Sequence, residues 1–236
     1  MLQWYSRPVS TRTSNLALGL VVFLAAPLAA VTGAASHPEQ SKPAAQIFAD
    51  SEKAMLGAKN FHVVGSITQG GQDTTLNLTI SPSGGGGSVG LPGVTMEIVV
   101  AGHNVYVKAD EKSWLKLTGS KATAELVANR WIEAPASNAD FADFAQLTDS
   151  KSFIDQVGSG KSQVSKFPVT ARWGGRKAII LTDTEGDRLY VADGPTPYML
   201  HIQGGSSGAS GYMTFTDFGT APVPTIPVNP INFPNS

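Results

Sequence analysis

Between residues 44 and 60 the chain reads AAQIFADSEKAMLGAKN, where Ile47, Phe48, Met55 and Leu56 recur at helical spacing and Asn60 offers a stop. This predicts one helix. The period then falls to two: in FHVVGSIT, Phe61, Val63, Gly65 and Ile67 share a face, and in DTTLNLTIS, Leu76, Leu78 and Ile80 alternate with Thr75, Asn77 and Thr79. The QGGQ between them, Gln69 to Gln72, reads as a hairpin turn. Further strands are expected over 86–91, 94–101, 104–109 and 114–117. Their links are short and rich in Gly, Asn and Asp, so the first half reads as an antiparallel meander with neighbours in sequence order.

The rhythm breaks in SKATAELVANRWIEAP and SNADFADFAQLTDSKSFIDQVG. Here Leu126, Val127, Trp131, Phe141, Phe144, Leu147, Phe153, Ile154 and Val157 fall at spacings of three and four, predicting two or three helices with Ser137 and Asp149 as caps. Strands return over 162–173, 177–184, 188–192, 198–203 and 212–218, with turns at WGGR, DTEGD and DGPTP. Five prolines between Pro222 and Pro234 keep the tail from pairing as a central strand, so it is expected to run extended over the surface. Helix, meander, helices, meander is an α+β pattern. A curved antiparallel sheet with helices against one face satisfies it, because every sheet face and helical stripe must be buried somewhere. A closed barrel leaves the mid-chain helices no place to dock.

The N-terminus is of another kind. Arg7 and Arg12 precede LALGLVVFLAAPLAAV, residues 16–31, which carries no charge. This is the n-region and h-region of a secretory signal. The run is short for a membrane span of ~20 residues, and Pro27 breaks it further. Small residues from Ala29 to Ser36 allow cleavage after Ala34, Ala35 or Ser36. The expected organisation is a signal peptide or N-terminal anchor over 1–36, a linker over 37–43, one domain over 44–221 and the Pro-rich tail over 222–236. One core suits that length.

Composition narrows the chemistry. The 17 basic residues balance 18 acidic ones, so no whole-chain field attracts nucleic acid. The absence of cysteine removes disulfides, thiolate metal sites, thiol catalysis and thiol-linked lipidation. His37, His62, His103 and His201 are scattered, and no HExxH occurs. Asp140, Asp143, Asp149 and Asp155 read as the solvated face of a helical region. The tracts SGGGGS and GGSSGASG lack a following G-K-[ST] and helix, so they read as flexible hairpin loops rather than phosphate cradles. No catalytic residue, metal or cofactor is expected. Trp114, Trp131, Trp173, Tyr106, Tyr190 and Tyr198 either rim a cavity or pack in the core and sheet.

The stretches FHVVGSITQGGQDTTLNLTI, GGGGSVGLPGVTMEIVVAGHNVYVKADEKSWLKL, LVANRWIEAP, LYVADGPTPYMLHI and MTFTDFG resemble the actinobacterial LolA-like exported lipoproteins of the LppX and LprG group, over residues 44–224. The resemblance implies a half-barrel sheet whose concave face, roofed by helices, holds the acyl chains of a lipid or lipoprotein. It implies a non-enzymatic carrier of the cell envelope, with a lipid or acylated molecule, a membrane surface and another envelope protein as partners. The candidate cavity wall is Val63, Ile67, Leu76, Leu78, Ile80, Met96, Ile98, Val105 and Val107 from the first meander, with Leu126, Phe144 and Phe153 from the helical stretch. If these residues pack solidly, the same fold serves instead as an envelope sensor or interaction scaffold. The chain departs from the family at one place: after Val31-Thr32-Gly33 stands Ala34, where the family carries its lipidated cysteine. The expectation is an exported protein without a lipid anchor, freely secreted or held by an uncleaved N-terminal segment.

Overall fold

Pro43 sits before α1 (Ala44–Gly57), with a φ of −59° already suited to a helix start. The buried face of α1, including Ile47, Phe48, Ser51 and Met55, follows the predicted spacing. Next come β1 (Phe61–Gln69), β2 (Gln72–Ser81), β3 (Gly84–Leu91), β4 (Val94–Ala101) and β5 (Asn104–Ala109). The β1–β2 turn has positive φ at both Gly70 and Gly71, the backbone that lets two strands reverse with matching twist. Then follow α2 (Glu111–Thr118), α3 (Lys121–Val127), β6 (Ile132–Pro135), α4 (Ala142–Thr148) and α5 (Ser150–Val157). The chain ends with β7 (Val169–Trp173), β8 (Arg176–Thr182), β9 (Arg188–Ala192), β10 (Met199–Gly204), β11 (Ala209–Thr216) and β12 (Ile231–Asn232). These elements come from a computed structural model that describes residues 39–138, 140–158, 164, 167–204 and 209–233.

The strands form one open sheet in the order β12-β6-β5-β4-β3-β2-β1-β11-β10-β9-β8-β7. Two meanders therefore meet in the middle, where β1 pairs antiparallel with β11 from His62 against Thr216 to Gln69 against Ala209. The sheet does not close, and β7 and β12 stand at its two ends. It is a half-barrel, antiparallel except where β12 pairs parallel with β6. Helices cover one face: α2 lies on β4, α4 crosses β2, β3 and β4, and α1 packs on α5, β9 and β10. The core lies between, with Ile47, Met55, Phe61, Ile98, Ile154 and Ile179 fully buried.

Several segments differ from the sequence reading. The strand expected over 114–117 is α2. Its ends decide this: the Asp110 carboxylate accepts the Ser113 N–H at 2.7 Å, and Gly119 closes the helix with φ of 68°. SKATAELVANRWIEAP, part of the stretch expected to hold two or three helices, ends in β6, whose Ile132 and Ala134 are buried in alternation against β5. Ser137 caps nothing; α4 starts after Phe141, while Asn138 Oδ1 accepts the Asp140 N–H at 2.9 Å. Asp149 caps α5 as expected, accepting the Ser152 N–H at 2.7 Å. The first glycine tract is no loop. Gly84 to Gly87 are strand β3, paired on both sides by β2 and β4. A Cβ on Gly85 would stand 2.0 Å from the Thr79 carbonyl oxygen and one on Gly87 2.1 Å from that of Asn77, so only glycine fits. In the second tract Gly204 ends β10 and Ala209 opens β11, while 205–208 lie outside the described residues. The strand expected from 162 starts at Val169. The predicted signal segment 1–36 also lies outside the described residues.

Candidate functional site

Opposite residues of an antiparallel ladder point to the same side, so the registers assemble the predicted stripe into rows. One row runs Val63, Leu78, Gly87, Ile98, Val107, Ile132 across six strands. A second runs Phe61, Ile80, Gly85, Val100, Val105, Ala134, and a third Gly65, Leu76, Val89, Met96, Ala109. Eight predicted wall residues thus lie side by side under the helices. Ile67 belongs to the same face, opposite Thr74, and is half-buried. Phe153 of α5 joins them through the Phe61 and Phe215 rings, each with its centroid 6.2 Å away. Phe144 of α4 packs against the same core, half-buried.

Leu126 does not belong to the wall. It is 64% exposed, because α3 turns Ala124 and Val127 to the core and leaves Leu126 off that face. The centre of the wall has a gap: Gly65, Gly85 and Gly87 put no side chain on the helix-covered face, where α4 lies across β2, β3 and β4. Around that gap the packing is tight. A wall residue of an empty chamber wide enough for water would carry accessible surface on that wall. Val63, Leu78, Ile80, Ile98 and Val105 are 0% exposed and Val107 1%.

No family model and no curated protein matches this chain. Solved structures do. Its fold is similar to that of LprF from Mycobacterium bovis. The two share 20% identity at a TM-score of 0.52, over 79% of this chain and 97% of LprF. The Mycobacterium tuberculosis lipoprotein LppX matches at 13% identity and a TM-score of 0.46, over 77% of this chain and 97% of LppX. An uncharacterised conserved protein from Thermus thermophilus matches at 11% identity and 0.39, over 80% and 96%. The LprF likeness places the half-barrel, with its helix-covered face, among known folds.

The remaining candidates are spread over several parts of this scaffold. Among the described residues no group of His, Asp and Glu gathers as a metal would need. His62 Nε2 sits 2.7 Å from Asn77 Oδ1 on the open face, the one opposite the helices. Asp155 pairs with Lys151 at 2.5 Å on an exposed stretch of α5. Of the aromatics, Trp173, Tyr190 and Tyr106 stand on the open face and so line no cavity under the helices. Tyr106 Oη donates to Glu133 Oε1 at 3.1 Å, and burial leads the causes that raise its pKa. Trp131 lies under the Lys108 ammonium, 5.6 Å away. Tyr198 stacks on Phe218 with centroids 4.1 Å apart. Trp114 is buried, and its Nε1–H has no acceptor among the described residues.

The sequence reading drew the wall from the first meander and the mid-chain helical stretch alone. The second meander and α1 extend the same core with Ile47, Met55, Ile179, Val191, Met199 and Phe215. The alternation in RLYVA and MTFTDF carried that signal. It went unused because nothing local says that β11 pairs with β1.

Proposed function

We propose that this protein is a non-enzymatic lipid-binding carrier of the cell envelope, allied to the LppX and LprG group, that holds acyl chains under its helices. The observation that carries the reading is the glycine-floored trough. Two rows of apolar side chains cross β3 at Gly85 and Gly87, which put no side chain on the covered face, and the seven-residue α4 lies across β2, β3 and β4. α4 is a weakly held roof: of its own residues only Thr148 is fully buried, while Phe144 and Leu147 are half-buried. Lifting α4 opens room for a chain of comparable width. Each buried CH2 contributes about 0.8 kcal/mol, so one ~16-carbon chain supplies micromolar or better affinity after association costs. The Trp114 Nε1–H beneath α2 is a spare donor for an ester or head-group oxygen. Export follows from the signal-like residues 1–36, and Ala34 in the cysteine position leaves a soluble or uncleaved form rather than a lipid-anchored one. Sequencing the N-terminus of the exported protein separates these two, since an intact Met1 excludes the soluble one.

One observation favours a second reading. The wall rows around the trough are closed in this structure, as a sensor or interaction scaffold with a filled core requires. Native mass spectrometry of the purified protein distinguishes the two. A carrier retains or takes up lipid; a protein that emerges without lipid and binds none is not a carrier. Ile98→Trp sharpens the result. On the carrier reading it lowers lipid uptake while the domain stays folded; in a permanently filled core it costs about 1–3 kcal/mol of stability through overpacking.

A further inference from the structure

The open face of the sheet has a constellation of its own, on the half built by β7 to β11. Trp173 of β7, Tyr190 of β9, His201 of β10 and Tyr212 of β11 all stand on this face, as the strand registers require. The Trp173 indole lies flat on the His201 imidazole, with centroids 3.8 Å and planes 16° apart. Tyr190 meets that imidazole edge-on at 5.6 Å, and the Tyr212 ring lies 6.0 Å from it, tilted by 24°. His201 Nδ1 is 2.9 Å from Thr214 Oγ1. Burial pushes the imidazole pKa down, so the stack is uncharged at neutral pH.

Trp173, His201 and Tyr212 floor an open groove of about 640 Å³. Gln203 and Thr214 supply hydrogen-bonding groups beside them, and Gly204 pairs with Gly211 at one end, leaving backbone without side chains. Tyr212 is 45% exposed and offers both a ring face and a hydroxyl. One cation stands beside the groove on the same face. Arg188 lies opposite Gln203 in the registers, and among the described residues its guanidinium has no hydrogen-bonding or ionic partner.

This set differs from what an acyl chain needs. A flat ring packs against the C–H face of a pyranose, as amphipathic aromatics do where one side is apolar and the edge is wet. Amide and hydroxyl groups around it bond the sugar hydroxyls, and an unpaired guanidinium fork suits a phosphate or carboxylate. We propose that the groove between Trp173 and Tyr212 binds an acidic saccharide, the sugar ring stacked on the aromatic floor beside Gln203 and Thr214 and its anionic group held by Arg188. The groove and the lipid trough lie on opposite faces of the sheet, so either assignment stands or falls without the other.

Isothermal titration of the full-length protein with glucose 6-phosphate, methyl glucoside and inorganic phosphate tests the assignment. Glucose 6-phosphate should bind, and Trp173→Ala should weaken it by about tenfold or more. Arg188→Gln should bring glucose 6-phosphate down to the affinity of methyl glucoside. Tyr212→Ala, at a half-exposed site, keeps the test alive if Trp173→Ala fails to fold, and it too should weaken sugar binding. The proposal is overturned if none of the probes binds, or if inorganic phosphate binds as tightly as glucose 6-phosphate and ignores both aromatic substitutions. Equal affinity for the neutral and the phosphorylated sugar overturns the acidic preference.

Discussion

The two faces of the sheet obey the same period-two alternation and end in opposite conditions. Under the helices Val63, Leu78, Ile98 and Val107 make an apolar row with no exposed surface beyond 1%. One residue away along each strand, Val64, Asn77, Glu97 and Lys108 face outward, with Lys108 3.2 Å from Glu97 and His62 bonding Asn77. In the first meander most of the large buried side chains are on the covered face, with Val99 and Tyr106 buried on the other. The second meander packs both: Ile179, Val191 and Phe215 join the core, while Trp173, Tyr190, His201 and Tyr212 gather on the other side. Rings need not be buried under helices to be ordered. Cross-strand neighbours suffice when several amphipathic side chains share one face.

The sharpest way to break this contrast is to empty the covered face. Phe61→Ala removes a fully buried ring that touches Phe153 and Phe215, and should lower unfolding free energy by about 3–5 kcal/mol in a denaturant titration. Next in size is the floor of the trough. Gly87→Ala places a methyl against the Asn77 carbonyl at a φ of 145°, which should cost about 1–3 kcal/mol and separates a paired strand from a loop that would tolerate the change.

The open face should answer to pH instead. Burial lowers the His201 pKa, so below its unfolded value of about 6.5 the unfolded chain binds more protons than the folded one. Stability is therefore full above that pH and declines as pH falls through the window down to the folded pKa. His201→Phe should flatten that part of a pH-stability profile, and an unchanged slope would show that His201 is not the group responsible. The smallest effect is expected at the corrected wall position. Leu126→Lys changes a residue 64% exposed and should move the melting curve by no more than the equivalent of about 0.5 kcal/mol; a large loss would return Leu126 to the core.

Much of the architecture was legible along the chain because strand period and helix period are local properties. α1, the strands β1, β2, β4, β5 and β9, and the Asp149 cap follow the expected pattern. The misreadings have physical causes. In WLKL the alternation imitates a strand, and the Asp110 and Gly119 caps that make it a helix lie just outside it. In SGGGGS the residues that usually mark flexible loops are required by backbones approaching from both sides. The candidate wall was legible for the nine residues of the first meander, which share one face. It was less so for the helices, since which side of α3 meets the sheet depends on how the helix docks.

By itself, then, the sequence determined the alternation that gives the sheet one apolar face, the mid-chain helices that cover it, and an N-terminus with no thiol at Ala34. These depend on neighbours a few residues apart. The tertiary structure alone decided that β1 pairs with β11, that α4 lies across β2, β3 and β4, and that Trp173 reaches His201. Each of those joins segments distant in the chain, and such contacts form only when the whole sheet sets the registers.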